Sequence, residues 1–235
     1  MDNFSSNPER RHVQDISAIN RFLSKMYGVM ALAVLVSAAT AYLTMTTFRS
    51  AIMGMNTATM WIIFLAPIFL SMGISFKSMK NPGLGFAFLM IMAVIYGFEF
   101  AMILGFYTGA QVTTAFLSAA AVFVAMAAFG TMTKRSLSNW GAYLGAALIG
   151  FMVAWIVNMF LRSPAVTYIF SFIGVIIFTG LTAYDAQNMK NLYSNMGDQV
   201  SDNGLAVIGA LNMYLDFINI FMFLLQIFGM SDNRN

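Results

Sequence analysis

Three acidic side chains lie inside long apolar stretches of this chain: Glu99 in IYGFEFAMIL, Asp185 in LTAYDAQNMK and Asp216 in ALNMYLDFINIF. The other six, Asp2, Glu9, Asp15, Asp198, Asp202 and Asp232, fall in tails or loops where water solvates them. An aspartate at the centre of a membrane helix costs roughly 2.5 to 3.5 kcal/mol on insertion scales, so two of them call for an offsetting role. Brought together in a low-dielectric interior, two carboxylates cannot both ionise cheaply and tend to share one proton. Such a pair is pH-responsive without histidine, and the single histidine, His12, stands in the polar N-terminal stretch. Hard cations take oxygen ligands, which Asp, Asn and backbone carbonyls supply.

The neighbours of the two aspartates are arranged for this. At 100° per residue, Asn212 lies about 40° from Asp216, Asn219 about 60° and Gln226 about 80° round on the same side. One face of that helix is therefore a polar seam, which cannot face lipid and must be buried among other helices or line water. Thr182 and Asn188 stand three residues to either side of Asp185, again on one face. Glu99 falls nearer the far end of its stretch, where it either lines the external half of a pathway or snorkels and pairs locally.

The elements that must hold these residues are membrane helices. Hydrophobic residues make up 60% of the chain and charged residues 9%, where a soluble domain carries roughly a quarter charged. Crossing about 30 Å of hydrocarbon takes about 20 apolar residues. The apolar runs place spans near 26–45, 57–76, 84–106, 112–132, 140–161, 166–187 and 205–228. The runs are continuous where barrel strands would alternate, so the expected fold is all-α with seven transmembrane helices. Residues 1–25 read as a polar cytoplasmic tail without a cleaved signal, 26–230 as one transmembrane domain and 231–235 as a short external tail. Pro67, within the second span, removes a backbone donor there.

Lys and Arg near span ends are retained in the cytoplasm. Of the twelve, nine (Arg10, Arg11, Arg21, Lys25, Lys77, Lys80, Lys134, Arg135, Lys190) fall on one side and three (Arg49, Arg162, Arg234) on the other. The expected N-terminus is cytoplasmic and the C-terminus external. The net charge of +3 and pI near 9.2 then reflect topology and anionic headgroups, with no nucleic-acid partner. The absence of cysteine excludes disulfides and thiolate metal sites. Gly105 to Gly109, Gly141 to Gly145 and Ala142 to Ala146 have the spacing that lets membrane helices approach closely, and the 21 Met and 23 Phe read as gap-filling in helix contacts.

Two stretches, GLTAYDAQNMK from Gly180 to Lys190 and ALNMYLDFINIFMFLLQIFG from Ala210 to Gly229, strongly resemble the Bax inhibitor motif family, particularly its bacterial members. Weaker agreement covers TKRSLS from Thr133 to Ser138 and ALIGFMVAWIVNMFLRS from Ala147 to Ser163. The resemblance implies seven helices packed around a central last helix, in a bacterial inner (plasma) membrane, with a role in stress or cell-death regulation. It further implies a pH-sensitive cation leak, chiefly for calcium, with no bound cofactor. By motif match its sensor and gate are Asp185 and Asp216, which would also ligate the passing ion, with Thr182, Asn212 and Asn219 as the supporting seam. Two departures stand out: Gln226 occupies a place where many relatives have Arg, and Glu99 matches no family motif. There is also a tension in depth, since Asp185 is close to the cytoplasmic end of its expected span while Asp216 is about 16 Å along the next. The two meet only if the last helix starts well outside the hydrocarbon or the sixth is shifted inward.

Two other function classes compete. Tyr184-Asp185 on one helix and an aspartate on the next is also the plan of presenilin-like intramembrane aspartyl proteases, but Asp216 follows Tyr214-Leu215 rather than Gly-x-Gly, and no Pro-Ala-Leu triplet occurs. No enzymatic activity is therefore expected. The other class is a non-transporting regulator that binds a membrane protease or another partner, with Arg10, Arg11 and His12 as a docking segment.

Overall fold

A computed structural model describes residues 16–48, 54–196 and 201–232, and among these it contains seven α-helices and no strand. We label them α1 (Ile16–Thr46), α2 (Thr57–Lys77), α3 (Pro82–Leu104), α4 (Gly109–Met132), α5 (Ser138–Leu161), α6 (Pro164–Met196) and α7 (Asp202–Asp232). All seven are long and apolar enough to cross a bilayer, so the chain is a multi-pass integral membrane protein. The polar segment carrying Arg10, Arg11 and His12 lies outside the described residues.

Local chemistry sets several helix ends. The Asn56 side chain accepts from Thr59 N–H at the start of α2, and Asn81 accepts from Leu84 N–H ahead of Pro82 at the start of α3. Thr108 and Gln111 form a reciprocal capping box on α4, satisfying donors that a helix start otherwise leaves open. α2 runs unbroken through Pro67. α5 ends on Arg162 in the left-handed conformation (φ 51°, ψ 37°).

Helix α7 is the axis of the bundle. In its most apolar stretch 67% of residues are buried, against 6% for α5 and 11% for α2. It packs against α1, α2, α3, α4 and α6, whereas α5 leans on α6 and α2 chiefly on α3. Small residues permit the close approaches: a Cβ on Gly130 would collide with the Ala183 backbone, and one on Gly97 with Thr40 and the Ser37 carbonyl.

Three expectations change. Gly105 and Gly109 do not share a helix, because Gly105 caps α3 and Gly109 opens α4. Of the pair Gly141 and Gly145, only Gly141 is at a close contact, under the Tyr184 ring. The third change bears on function. α6 continues nine residues past the expected end at 187, and α1 begins at Ile16 rather than 26. Polar turns such as QNMKNLYSNM remain helical where hydropathy has already fallen, because backbone hydrogen bonding continues beyond the hydrocarbon.

Candidate functional site

The extension of α6 removes the mismatch in depth. Asp185 stands eleven residues before Met196, about 16 Å from that end, and Asp216 fourteen residues after Asp202, about 21 Å from its own. The two helices are antiparallel neighbours, and their register is visible one step away. Phe178 on α6 and Phe223 on α7 meet with ring centroids 5.9 Å apart. Seven residues from each, in the directions that run together in an antiparallel pair, are Asp185 and Asp216. Seven residues return a helix to within about 20° of the same face, so the aspartates occupy the same interface at one level. They are close enough to repel each other when both are charged.

Asp216 is 4% exposed, Asp185 half-buried. Asp216 Oδ2 has no hydrogen-bond partner among the described residues. A buried carboxylate without donors is not tolerated as a bare charge; a proton shared with its neighbour, or a cation, is the chemistry that fits it. Thr182 is fully buried and donates to the Phe178 carbonyl, and the Asn219 amide donates to Leu215 O at 2.7 Å. Asn212 is half-buried on the same side of α7. No three His, Cys, Asp or Glu side chains cluster among the described residues. A cation at the pair would therefore meet two carboxylates with amide and carbonyl oxygens.

Beyond the pair, away from the Lys/Arg-rich end, the seam changes character twice. First comes an aromatic layer, where Phe223 packs edge-on against Phe151 of α5 (5.4 Å) and lies against Phe178 and Gly174. Then polar groups return. Ser171 Oγ lies 2.8 Å from Gln226 Oε1, and Asn158 Nδ2 donates to Thr167 Oγ1 at 2.8 Å. Asn158 Oδ1 is buried without a partner among the described residues. Asn158, Thr167 and Gln226 border an open recess of about 460 Å³ that also includes Arg162 and Trp155. Gln226 is thus a neutral acceptor for Ser171.

Glu99 is elsewhere. It is buried on α3, within electrostatic reach of Tyr96 and Tyr214, and its Oε1 is unpartnered among the described residues. Tyr214 precedes Asp216 by two residues and points about 160° away from it, toward α1 and α3. There its hydroxyl meets Ser37 Oγ at 2.7 Å and its ring packs on Tyr96. Central α7 therefore has two polar sides, with the aspartate pair on one and Glu99 on the other.

Sequence reasoning did not single out Phe151, Gly174, Phe178, Phe223 or Ser171. The seven-residue spacing of Phe178 and Phe223 from the aspartates was available as a signal; the α5 partner was not. Gln187 was missed too. Its side chain accepts from Leu137 N–H and donates to Arg135 O, clipping the α4–α5 loop to α6 just beyond the pair.

Residues 19–233 match the family model described as inhibitor of apoptosis-promoting Bax1. The chain is 38% identical over 227 residues to the uncharacterized membrane protein SpyM3_0260 of Streptococcus pyogenes serotype M3, covering 94% of this chain and 97% of that one. It is 36% identical over 221 residues to YrjE of Lactococcus lactis, covering 93% and 94%. To the inner membrane protein YbhL of Escherichia coli K12 it is 34% identical over 223 residues, covering 92% and 94%. With nearly the whole chain aligned and seven membrane-length helices around a central last one, this protein belongs to the Bax inhibitor-1 family.

Proposed function

We propose that the chain is a pH-sensitive leak for calcium or similar cations, with Asp185 and Asp216 as its sensor and gate. The observation that carries this reading is the aspartate pair on the α6–α7 contact, buried Asp216 beside half-buried Asp185, with Asp216 Oδ2 lacking any donor among the described residues. When deprotonated, the pair attracts a divalent cation. With a shared proton or two, it loses that attraction and the helices close over it. The aromatic layer of Phe151, Phe178 and Phe223 keeps the seam dry in the closed arrangement, since an apolar constriction gates by excluding water. The recess at Asn158, Thr167 and Gln226 is the polar mouth beyond it. Flux should therefore rise with pH as the pair loses its proton.

The location of the basic residues supports the Lys/Arg-rich end as the cytoplasmic one, in the plasma membrane of a bacterium. The test is calcium uptake into liposomes containing the purified protein, between about pH 5 and 8. A flux that rises with pH is expected. No protein-dependent flux at any pH would overturn the leak and leave partner binding as the family role to pursue.

A further inference from the structure

Helices α1 and α4 both pack on α7 but form no extensive interface with each other. The space between them is an apolar groove open to the bilayer, formed of two spaces of about 520 and 390 Å³ that share Val34, Phe116 and Phe217. Phe217 of α7 is its floor. Along α1 it reaches from Tyr27 to Met45, about 27 Å of helix rise. Its walls include the small side chains of Ala31 on α1 and Ala120 and Ala128 on α4, between larger ones such as Tyr27 and Phe123.

At the Lys/Arg-rich end the chemistry reverses. Thr131, in the groove wall, also lines a polar recess of about 200 Å³ bordered by Lys134, Arg135, Lys190 and Asn191 and by no carboxylate. The recess is built rather than incidental. Lys190 Nζ donates to the Thr131 carbonyl at 2.7 Å, and buried Gln187 holds the Arg135 carbonyl and the Leu137 N–H. Among the described residues, neither Lys134 nor Arg135 pairs with a carboxylate. A cationic recess that shares Thr131 with the end of an apolar groove of membrane depth matches an amphiphile with a negative head and a hydrocarbon tail.

We propose that the α1–α4 groove and the recess under the α4–α5 loop form one binding site for an anionic phospholipid. Its phosphate sits among Lys134, Arg135 and Lys190, and one acyl chain lies over Phe217. The site is independent of cation passage, although its floor residue adjoins Asp216 in the chain.

The test is native mass spectrometry of the full-length protein, titrated in detergent with phosphatidylglycerol or phosphatidylcholine. Wild type should retain one phosphatidylglycerol in preference to phosphatidylcholine. The double variant Lys134→Gln/Arg135→Gln should bind it about tenfold or more weakly, since each cation near an anionic headgroup contributes to the attraction. Ala128→Phe, which fills the groove without touching the charges, should weaken it similarly, and Ala31→Phe provides the same test from the other wall. Thermal melting checks that each variant is folded. Lys77→Gln/Lys80→Gln, at the same end but away from the groove, should leave binding unchanged. An equal loss in that control would show diffuse surface attraction and overturn the site. Unchanged binding in folded Ala128→Phe and Ala31→Phe, or displacement of the lipid by inorganic phosphate alone, would reduce it to a phosphate site and overturn the lipid assignment.

Discussion

The ring of Phe223 lies over Gly174, where an added Cβ would come within 2.6 Å of ring carbons Cδ2 and Cε2. The absent side chain on α6 is what lets the α7 phenylalanine close the seam above the aspartates. Removing the ring should open that layer. Phe223→Ala is expected to raise calcium flux at acid pH about tenfold, because the apolar constriction no longer excludes water. Truncating a buried phenylalanine costs about 3 to 5 kcal/mol in a soluble core, so Phe223→Leu, which keeps the layer apolar, is its companion. Acid flux unchanged in a folded Phe223→Ala would show that the constriction lies elsewhere.

If Asp185 and Asp216 share a proton, either Asp→Asn change removes the like-charge repulsion and replaces a titrating group with a permanent hydrogen-bonding one. Flux in each single variant should become nearly independent of pH, and the double variant should add little, since residues acting as one unit are non-additive. Liposome flux for wild type, both singles and the double is the measurement. A preserved pH midpoint in both singles would exclude a shared sensor.

Glu99 stands on the side of α7 away from the pair. Glu99→Gln is therefore expected to lower the amplitude of flux without moving its pH midpoint. A shifted midpoint would mean that the two polar sides of α7 titrate together.

Gln187 supplies both halves of the clip on the α4–α5 loop. Gln187→Leu strands a backbone donor and a backbone acceptor, each worth about 1 to 3 kcal/mol when left buried and unpaired. Thermal unfolding in detergent should show a clear fall in midpoint, and Gln187→Glu, which keeps one acceptor, a smaller one.

Reporter fusions at the two chain ends test the orientation. A cytoplasmic N-terminus and an external C-terminus are expected from the basic residues, and the reverse assignment would invert which leaflet supplies the lipid.

Composition, apolar run length and charge placement were enough to identify a seven-helix membrane protein. The reason is physical: each span must satisfy its own backbone in hydrocarbon, a constraint that acts segment by segment and is written locally. The polar seam of Asn212, Asp216 and Asn219 was legible for the same reason, since angular position on one helix needs no partner. The packing between helices was not legible. Hydropathy falls at Asp185 while α6 runs on to Met196, and that extension puts the two aspartates at one level. Hydropathy also could not tell that Glu99 faces the Tyr214 side of α7, that Phe151 from α5 completes the layer around Phe223, or that α1 and α4 stand apart. Those depend on rotation and depth of whole helices against one another, which close contacts such as Gly130 on Ala183 and Gly174 under Phe223 decide only once the chain has folded.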